Sequence, residues 1–90
     1  MKPKFTPGPW SPGHYERSNK CFVVAKGSHI FEETTSATGE ISPNAHLIAA
    51  APDMFEALEN IQRYLERSGE ASLLDSFGVN EALAKARGEE

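Results

Sequence analysis

Three histidines and a single cysteine are the side chains of this sequence best suited to hold a metal ion. They are Cys21, His14, His29 and His46. Zinc sites built from these residue types normally include at least one close ligand pair, such as two cysteines separated by two residues. Successive members of this set are 7, 8 and 17 positions apart, so they include no such pair. The spacing therefore predicts no metal site, and no other motif predicts a cofactor.

Catalytic arrangements are the second kind of chemistry to consider, and the sequence carries no local signature of one. A nucleophilic serine or cysteine needs a base and an orienting acid that the fold holds close to it. Neither a nucleophile elbow nor a Gly-rich phosphate loop occurs. Glu32 and Glu33 are adjacent carboxylates, but neighbouring residues of a strand point to opposite faces. We therefore predict that the protein is not an enzyme.

Basic and aromatic residues are interleaved in the first half of the chain, a pattern that can serve nucleic-acid binding. A sheet that exposes aromatic rings can stack bases, while lysine and arginine contact phosphates. Residues 1–45 nevertheless hold five basic against four acidic residues, so the positive excess is small. A tryptophan between prolines is also more typical of a core anchor than of a stacking platform. Nucleic-acid binding stays an alternative, and its candidate residues are Arg17, Lys20, Lys26 and Trp10.

Acidic residues dominate the second half of the chain. Residues 46–90 hold nine acidic against four basic residues, and such a surface repels phosphates. An acidic helix face can instead imitate nucleic acid toward a basic groove on a protein partner. The alternative is a solvated helix face, which is the commoner fate of such charges. The candidate partner-binding residues are Asp53, Glu56, Glu59, Arg63 and Glu66.

The elements that must position these residues are typical of a single α+β domain over residues 1–90. Residues 1–13 contain four prolines and predict an extended arm, because proline removes a backbone donor and keeps the chain extended. Residues 14–36 are β-rich and predict a small antiparallel sheet of two or three strands. Its hairpin is expected to turn at residues 26–28, and residues 14–17 are the candidate third strand.

Residues 42–67 show the strongest periodicity and predict helix. Ser42 supplies an N-cap and Pro43 a first helical residue. Apolar residues then recur every three or four positions from Leu47 to Leu65. Pro52 lacks a helical donor, so the helix either kinks or breaks there, and we favour a break. The apolar stripe favours core packing, and a homodimer seam is its alternative use, since a small sheet leaves part of it uncovered.

Glycines divide the remainder of the chain into one or two short helices over residues 70–88. Gly69 is expected to end the long helical region, Gly78 to separate two short apolar segments, and Gly88 to end the last one. Cys21 lies in an apolar run and predicts a buried thiol.

The apolar runs of the chain are too short for a membrane segment. The longest, Leu47 to Ala51, falls well below the roughly 20 residues that span a bilayer. The first residues are rich in proline and lack the apolar core of a signal peptide. We therefore expect a cytoplasmic protein that does not associate with a membrane.

Three segments resemble a widespread group of short bacteriophage and prophage proteins. They are residues 6–10 (TPGPW), residues 44–59 (NAHLIAAAPDMFEALE) and residues 82–88 (ALAKARG). Members of the group typically begin with TPGPW and later carry NAxLIAAAP followed by (D/E)LLEAL. Here Met54 and Phe55 replace the two leucines and keep the apolar character. Residues 11–43 show no such resemblance.

The resemblance implies a phage-encoded accessory protein made in a bacterial cytoplasm, and it carries over no catalytic residues. We therefore expect the protein to act by binding a macromolecular partner, either a host or a phage protein. Inhibition of a host defence protein, of the anti-CRISPR or anti-restriction type, is the favoured instance, because an interface of about 800 Å² per partner is within reach of so small a domain. The nucleic-acid-binding alternative stays open.

Overall fold

Three β-strands precede three helices along residues 5–89, the part of the chain that this computed structural model describes. The strands and helices are β1 (Trp10–His14), β2 (Lys20–Ala25), β3 (Ser28–Thr34), α1 (Pro43–Arg67), α2 (Ser72–Ser76) and α3 (Val79–Arg87). The strands form one antiparallel sheet in the order β1-β2-β3. The α+β class, the small sheet and the short C-terminal helices are thereby confirmed.

The hairpin between β2 and β3 turns where the sequence predicted it. Lys26 and Gly27 have φ angles of 50° and 80°, and positive values at both central residues define a type I′ turn. The twist of this turn matches the twist of the two strands, so a two-residue connection is enough. Beyond the turn, a β-bulge lies opposite Val23 and Val24, and Ile30 is the extra residue on β3. The bulge changes which β3 residues lie beside β2.

The third strand is present, but it lies earlier in the chain than predicted. We expected it at residues 14–17, whereas β1 covers Trp10–His14. Arg17 has a φ of 57°, a left-handed conformation that does not fit a strand, so the chain already reverses there. Pro12 is tolerated because β1 is an edge strand, where its missing donor needs no partner. Residues 1–4 of the predicted arm lie outside the described residues.

Helix α1 is uninterrupted, and our preference for a break at Pro52 was wrong. The helix begins where expected, since the Ser42 hydroxyl accepts a hydrogen bond from the Ala45 amide at 3.0 Å and acts as the N-cap. Pro52 lies inside the helix and removes only the hydrogen bond that its missing N–H would make. Its ring packs against Gly8, where an added Cβ would come within 2.9 Å of the Pro52 Cβ. The helix therefore continues through Pro52, and the proline ring contacts a segment that is distant in the sequence.

The ends of the helices follow the glycines. Gly69 has a φ of 83° and comes directly after the last turn of α1. The Glu70 amide donates to the Leu65 carbonyl at 2.9 Å, which is the hydrogen bond of a Schellman motif. Gly88 ends α3 in the same way. Among the helices of residues 5–89, none is both long and apolar enough to cross a membrane.

The chain divides into two compact units, each with its own apolar core. Residues 6–53 form one unit, whose core combines the sheet with the start of α1: Cys21, Val23, Ala45 and Ala49 are buried, with Trp10, Phe31, Ile41 and Ile48 packed against them. Trp10 is partly buried and packs against this core. Cys21 is 0% exposed, so the buried thiol is confirmed.

The other unit consists, among the described residues, of Phe5 and residues 54–89. Its core contains Phe55, Leu74, Val79 and Leu83, with Phe5, Leu58 and Leu65 packed against them. The Phe5 and Phe55 rings meet edge to face at 5.0 Å, a favourable geometry for an aromatic pair. The single-domain assignment of residues 1–90 stays a prediction.

Candidate binding site on the outer face of the sheet

The side chains of β2 point alternately to the two faces of the sheet. Cys21, Val23 and Ala25 are buried, whereas Phe22 and Val24 between them are only partly buried. This alternation follows from the two-residue period of a strand. The buried side packs on α1, and the side that carries Phe22 is called here the outer face. Partly exposed aromatic side chains make the outer face a candidate binding surface.

Three rings meet on the outer face and form what we call the ring cluster: Tyr15, Phe22 and His29. The Phe22 ring lies 4.9 Å from that of Tyr15 and 4.6 Å from that of His29. Tyr15 and His29 meet edge to face at 5.6 Å. On β1, Gly13 stands opposite Phe22, and an added Cβ there would lie 2.7 Å from two atoms of the Phe22 ring. The absence of a side chain at Gly13 therefore makes room for the cluster.

A hydrogen-bond network ties the ring cluster to Glu32 of β3. The Tyr15 hydroxyl donates to Glu32 Oε2 at 2.5 Å and lies 2.9 Å from His29 Nδ1. Because the hydroxyl has one proton and gives it to Glu32, His29 Nδ1 must be the donor to the tyrosine oxygen. In the neutral imidazole this places the lone pair on Nε2. The network fixes the orientation of the Tyr15 and His29 rings.

The same network sets the protonation of Tyr15. The hydrogen bond to Glu32 raises the pKa of the Tyr15 hydroxyl above its ordinary value of 10.0, and burial and the Glu32 charge act in the same direction. The hydroxyl is therefore protonated at neutral pH and acts as a donor. The side chains of His29 and Glu32 are 43% and 46% exposed, so both can meet a partner. The ring cluster and Glu32 can therefore bind a partner through ring contacts and hydrogen bonds.

Glu32 and Glu33 lie on opposite faces of β3, as the sequence predicted. Glu32 accepts from Tyr15 on the outer face, whereas Glu33 Oε1 accepts from Asn44 Nδ2 at 3.1 Å near the start of α1. The Ser42 hydroxyl, followed by the Asn44 amide, lowers the pKa of the Glu33 carboxyl. A carboxylate at this end of α1 also suits the helix dipole. The two carboxylates therefore have separate structural roles.

The residues of the nucleic-acid alternative do not form one basic surface. Arg17 lies in the turn after β1, Lys20 is the first residue of β2, and Lys26 lies in the hairpin turn at the other end of that strand. Trp10 packs against the core, and its Nε1 donates to the Thr6 carbonyl at 3.0 Å. Residues 10–34 hold three basic and three acidic residues. The rim of the outer face therefore has a mixed charge.

The five acidic-face candidates all lie on α1, but they differ in their availability. Glu59 accepts from Arg87 Nη2 at 3.2 Å, and both side chains are mostly buried, with exposures of 22% and 19%. Arg87 also lies over the Phe55 ring, 5.5 Å from its centroid. Arg63 donates to the side chain of Asn60. The candidates Asp53, Glu56, Arg63 and Glu66 are exposed, so Glu59 is the least available of the five.

The ring cluster was not predicted from the sequence. The alternation of side chains along β2 could have indicated the position of Phe22, because its neighbours Cys21 and Val23 are buried and Phe22 therefore points to the other face of the sheet. The approach of His29 depends on the bulge opposite Val23 and Val24, and that of Tyr15 depends on the register of β1. Register and bulges follow from pairing between strands, so the local pattern did not reveal this cluster.

Two of the segments that carry the phage resemblance contact each other in the unit formed by residues 6–53. Gly8 belongs to the TPGPW segment, and it packs against Pro52 of the segment that contains LIAAAP. A larger residue than glycine would not fit there without a shift of the proline. The hydrogen bond from Trp10 to Thr6 closes the TPGPW segment on itself. The two segments thus form one packed structure.

Comparison with known proteins gives a family match over the whole chain. A protein-family model described as Salmonella phage P22 protein Y8K6 matches residues 1–90. No curated protein and no solved structure matches the chain. The match covers the full length of the sequence, including the residues of the ring cluster and those of both cores, and it agrees with a phage origin of the chain.

Proposed function

The chain belongs to the Salmonella phage P22 protein Y8K6 family, and we propose that it is a phage accessory protein that binds a host or phage protein through the outer face of its sheet. The observation that carries this proposal is the ring cluster, a group of three partly exposed rings in which the Tyr15 hydroxyl donates a hydrogen bond to Glu32. The proposed activity is binding without chemical turnover.

The order within the ring cluster supports a role in binding. Tyrosine is enriched among the residues that contribute most to protein–protein affinity, because its ring offers a large contact area with few rotatable bonds. Here the Tyr15 and His29 rings are already oriented by the hydrogen bond between them and by the one from Tyr15 to Glu32. A partner therefore meets rings that lose little conformational freedom on binding.

The charges and ring contacts support a protein partner over a nucleic acid. Nucleic-acid surfaces need a basic excess, because phosphate contacts supply most of the affinity. The outer face instead carries Glu32 on the edge strand β3, and Glu32 and Lys20 both line a hollow of about 150 Å³. Base stacking needs an open ring face, whereas the Phe22 ring lies between Gly13 and His29.

A host defence protein is the partner that we propose to test first. Two facts support a defence protein as the partner. The chain belongs to a phage family, and a domain of 90 residues is large enough to cover a site on a larger enzyme. Defence proteins of the CRISPR or restriction type carry basic grooves for nucleic acid. Glu32 on the outer face, whose side chain is exposed, has the charge that such a groove accepts.

The test is capture of a partner by the tagged protein from a bacterial host lysate, with half of the lysate treated with nuclease. His29→Ala removes one ring of the cluster and the bond to Tyr15. The matched control is His46→Ala, which changes an exposed histidine on α1. We expect the tagged protein to capture a host protein from the lysate both with and without nuclease treatment. Once purified, that partner should bind the His29 variant at least about tenfold more weakly than it binds the control.

Three results would count against the proposal. Equal binding of the His29 and His46 variants would place the interface elsewhere. Capture that disappears with nuclease would favour the nucleic-acid alternative, and exchange of Lys20 and Lys26 for glutamate should then abolish binding in a salt-dependent manner. Turnover of a substrate by the purified protein would contradict the non-enzymatic role.

A further inference from the structure

Helix α1 carries a second apolar surface that is exposed to solvent. Met54, Ile61 and Tyr64 are 43%, 45% and 70% exposed, and Ala57 between them is exposed as well. We call these four residues the α1 seam. Their spacings of three, four and three place them on one side of a helix, as at the a and d positions of a heptad repeat. The core of the unit that contains Phe5 and residues 54–89 is formed by other α1 residues, of which Phe55 is buried.

A row of polar residues runs beside the α1 seam. Asp53, Asn60 and Arg67 are exposed and stand seven positions apart, so they follow one flank of the seam. The row is acidic at its first end, neutral at its centre and basic at its last end. A copy of the same helix running in the opposite direction presents the complementary order of charges.

We propose that α1 pairs with α1 of a second copy in an antiparallel arrangement, about a two-fold axis at Asn60. In this register Met54 lies opposite Tyr64 of the second copy, and Ala57 lies opposite Ile61. The flanking positions then place Asp53 of each copy opposite Arg67 of the other, while the two Asn60 side chains meet at the axis. Antiparallel coiled-coil geometry brings these flanking positions together when the seam residues are so paired. Apolar contacts and charges therefore agree on one register.

Other ways of pairing two copies of α1 do not bring Asp53 of one copy opposite Arg67 of the other. A parallel pair aligns identical residues, which separates Asp53 from Arg67 of the second copy by about 21 Å along the helix. An antiparallel pair shifted by one heptad would bury Leu47 against Tyr64, but it would place Arg67 opposite His46. Only the register centred on Asn60 brings two pairs of opposite charges together. Complementary charges at such flanking positions determine which helices pair and whether they run parallel or antiparallel.

The seam spans about three helical turns, so the expected dimer is a weak one. Small interfaces of this kind lie at the lower end of the range of specific contacts. The test is therefore the concentration dependence of the molar mass, measured by sedimentation equilibrium from roughly 10 to 500 µM, a range suited to micromolar association.

Charge exchange tests both the direction and the register of the pair. Asp53→Lys places a lysine opposite Arg67, and Arg67→Glu places a glutamate opposite Asp53. Each change turns two attractions into two repulsions, so we expect about tenfold weaker association. The double variant restores opposite charges and should return to the affinity of the unchanged protein. Glu66→Lys is the matched control, since Glu66 is exposed on α1 but lies away from the seam.

Ile61→Lys tests the apolar part of the seam and should give a monomer with unchanged helical circular dichroism. The proposal is overturned if the unchanged protein is monomeric at about 500 µM. It is also overturned if the two single charge variants associate like the control, or if the double variant does not regain affinity, because both results exclude the register centred on Asn60.

Discussion

Exchange of Gly13 for alanine measures how tightly the ring cluster is packed. An added Cβ would lie 2.7 Å from the Cε1 and Cζ atoms of Phe22, about 1 Å closer than two carbon atoms prefer. The Phe22 ring must move away from β1 to make room. Because that ring also contacts Tyr15 at 4.9 Å and His29 at 4.6 Å, the movement disturbs both of these contacts.

The size of the effect follows from two opposing contributions. Each aromatic pair contributes about 0.5–1.5 kcal/mol to stability, so loss of both Phe22 pairs costs about 1–3 kcal/mol. Alanine in place of glycine reduces the freedom of the unfolded chain and recovers about 0.4–1 kcal/mol. We expect Gly13→Ala to lower the free energy of unfolding by about 1.3 kcal/mol, the difference between the midpoints of these two contributions.

Urea denaturation followed by tryptophan fluorescence measures this change. Trp10 is the only tryptophan of the chain, and it packs against the core of the unit that contains Gly13. The matched background is Phe22→Leu, which removes the ring from the space beside Gly13. In that background Gly13→Ala should be neutral or stabilising by up to about 1 kcal/mol. An equal loss of stability in both backgrounds would refute the packing argument.

Three further predictions concern single side chains. The pKa of the Tyr15 hydroxyl, followed by NMR of the ring carbons, should lie above 10.0 and fall toward that value in the Glu32→Gln variant; no change would exclude the hydrogen bond as its cause. Because the pKa of Glu33 is lowered in the folded protein, its contribution to stability is present above its ordinary value of 4.5 and is lost as the pH falls through the lower folded value. Glu33→Gln should therefore reduce the loss of stability in acid, and an unchanged pH profile would contradict this. Leu83→Ala should lower the free energy of unfolding by about 2–5 kcal/mol, since Leu83 is 0% exposed; a loss below about 1 kcal/mol would show that the core adjusts to the cavity.

Features controlled by neighbouring residues were predictable from the sequence. The positions of Ser42 and Pro43 predicted the start of α1, and the hydroxyl of Ser42 caps it. Lys26 and Gly27 predicted the hairpin turn, and Gly69 predicted the end of α1. In each case the decisive forces act within a few residues: a capping hydrogen bond, or a φ angle that glycine adopts freely.

Features controlled by distant residues were predicted less well. The third strand was expected at residues 14–17, but the pairing of β1 with β2 places it at Trp10–His14. A break was favoured at Pro52, but α1 is continuous through the proline, whose ring packs against Gly8 of a distant segment. The ion pair between Glu59 and Arg87 joins residues 28 positions apart, so the local pattern along α1 did not indicate it.

The sequence by itself determined the fold class, the order of the elements and most of their ends, because periodicity, caps and turn residues act locally. Tertiary structure decided where the candidate site lies. Strand register and one bulge bring Tyr15, Phe22, His29 and Glu32 together from three separate segments. A contact between distant segments depends on how whole strands pair, and a local pattern of residue types does not contain that information.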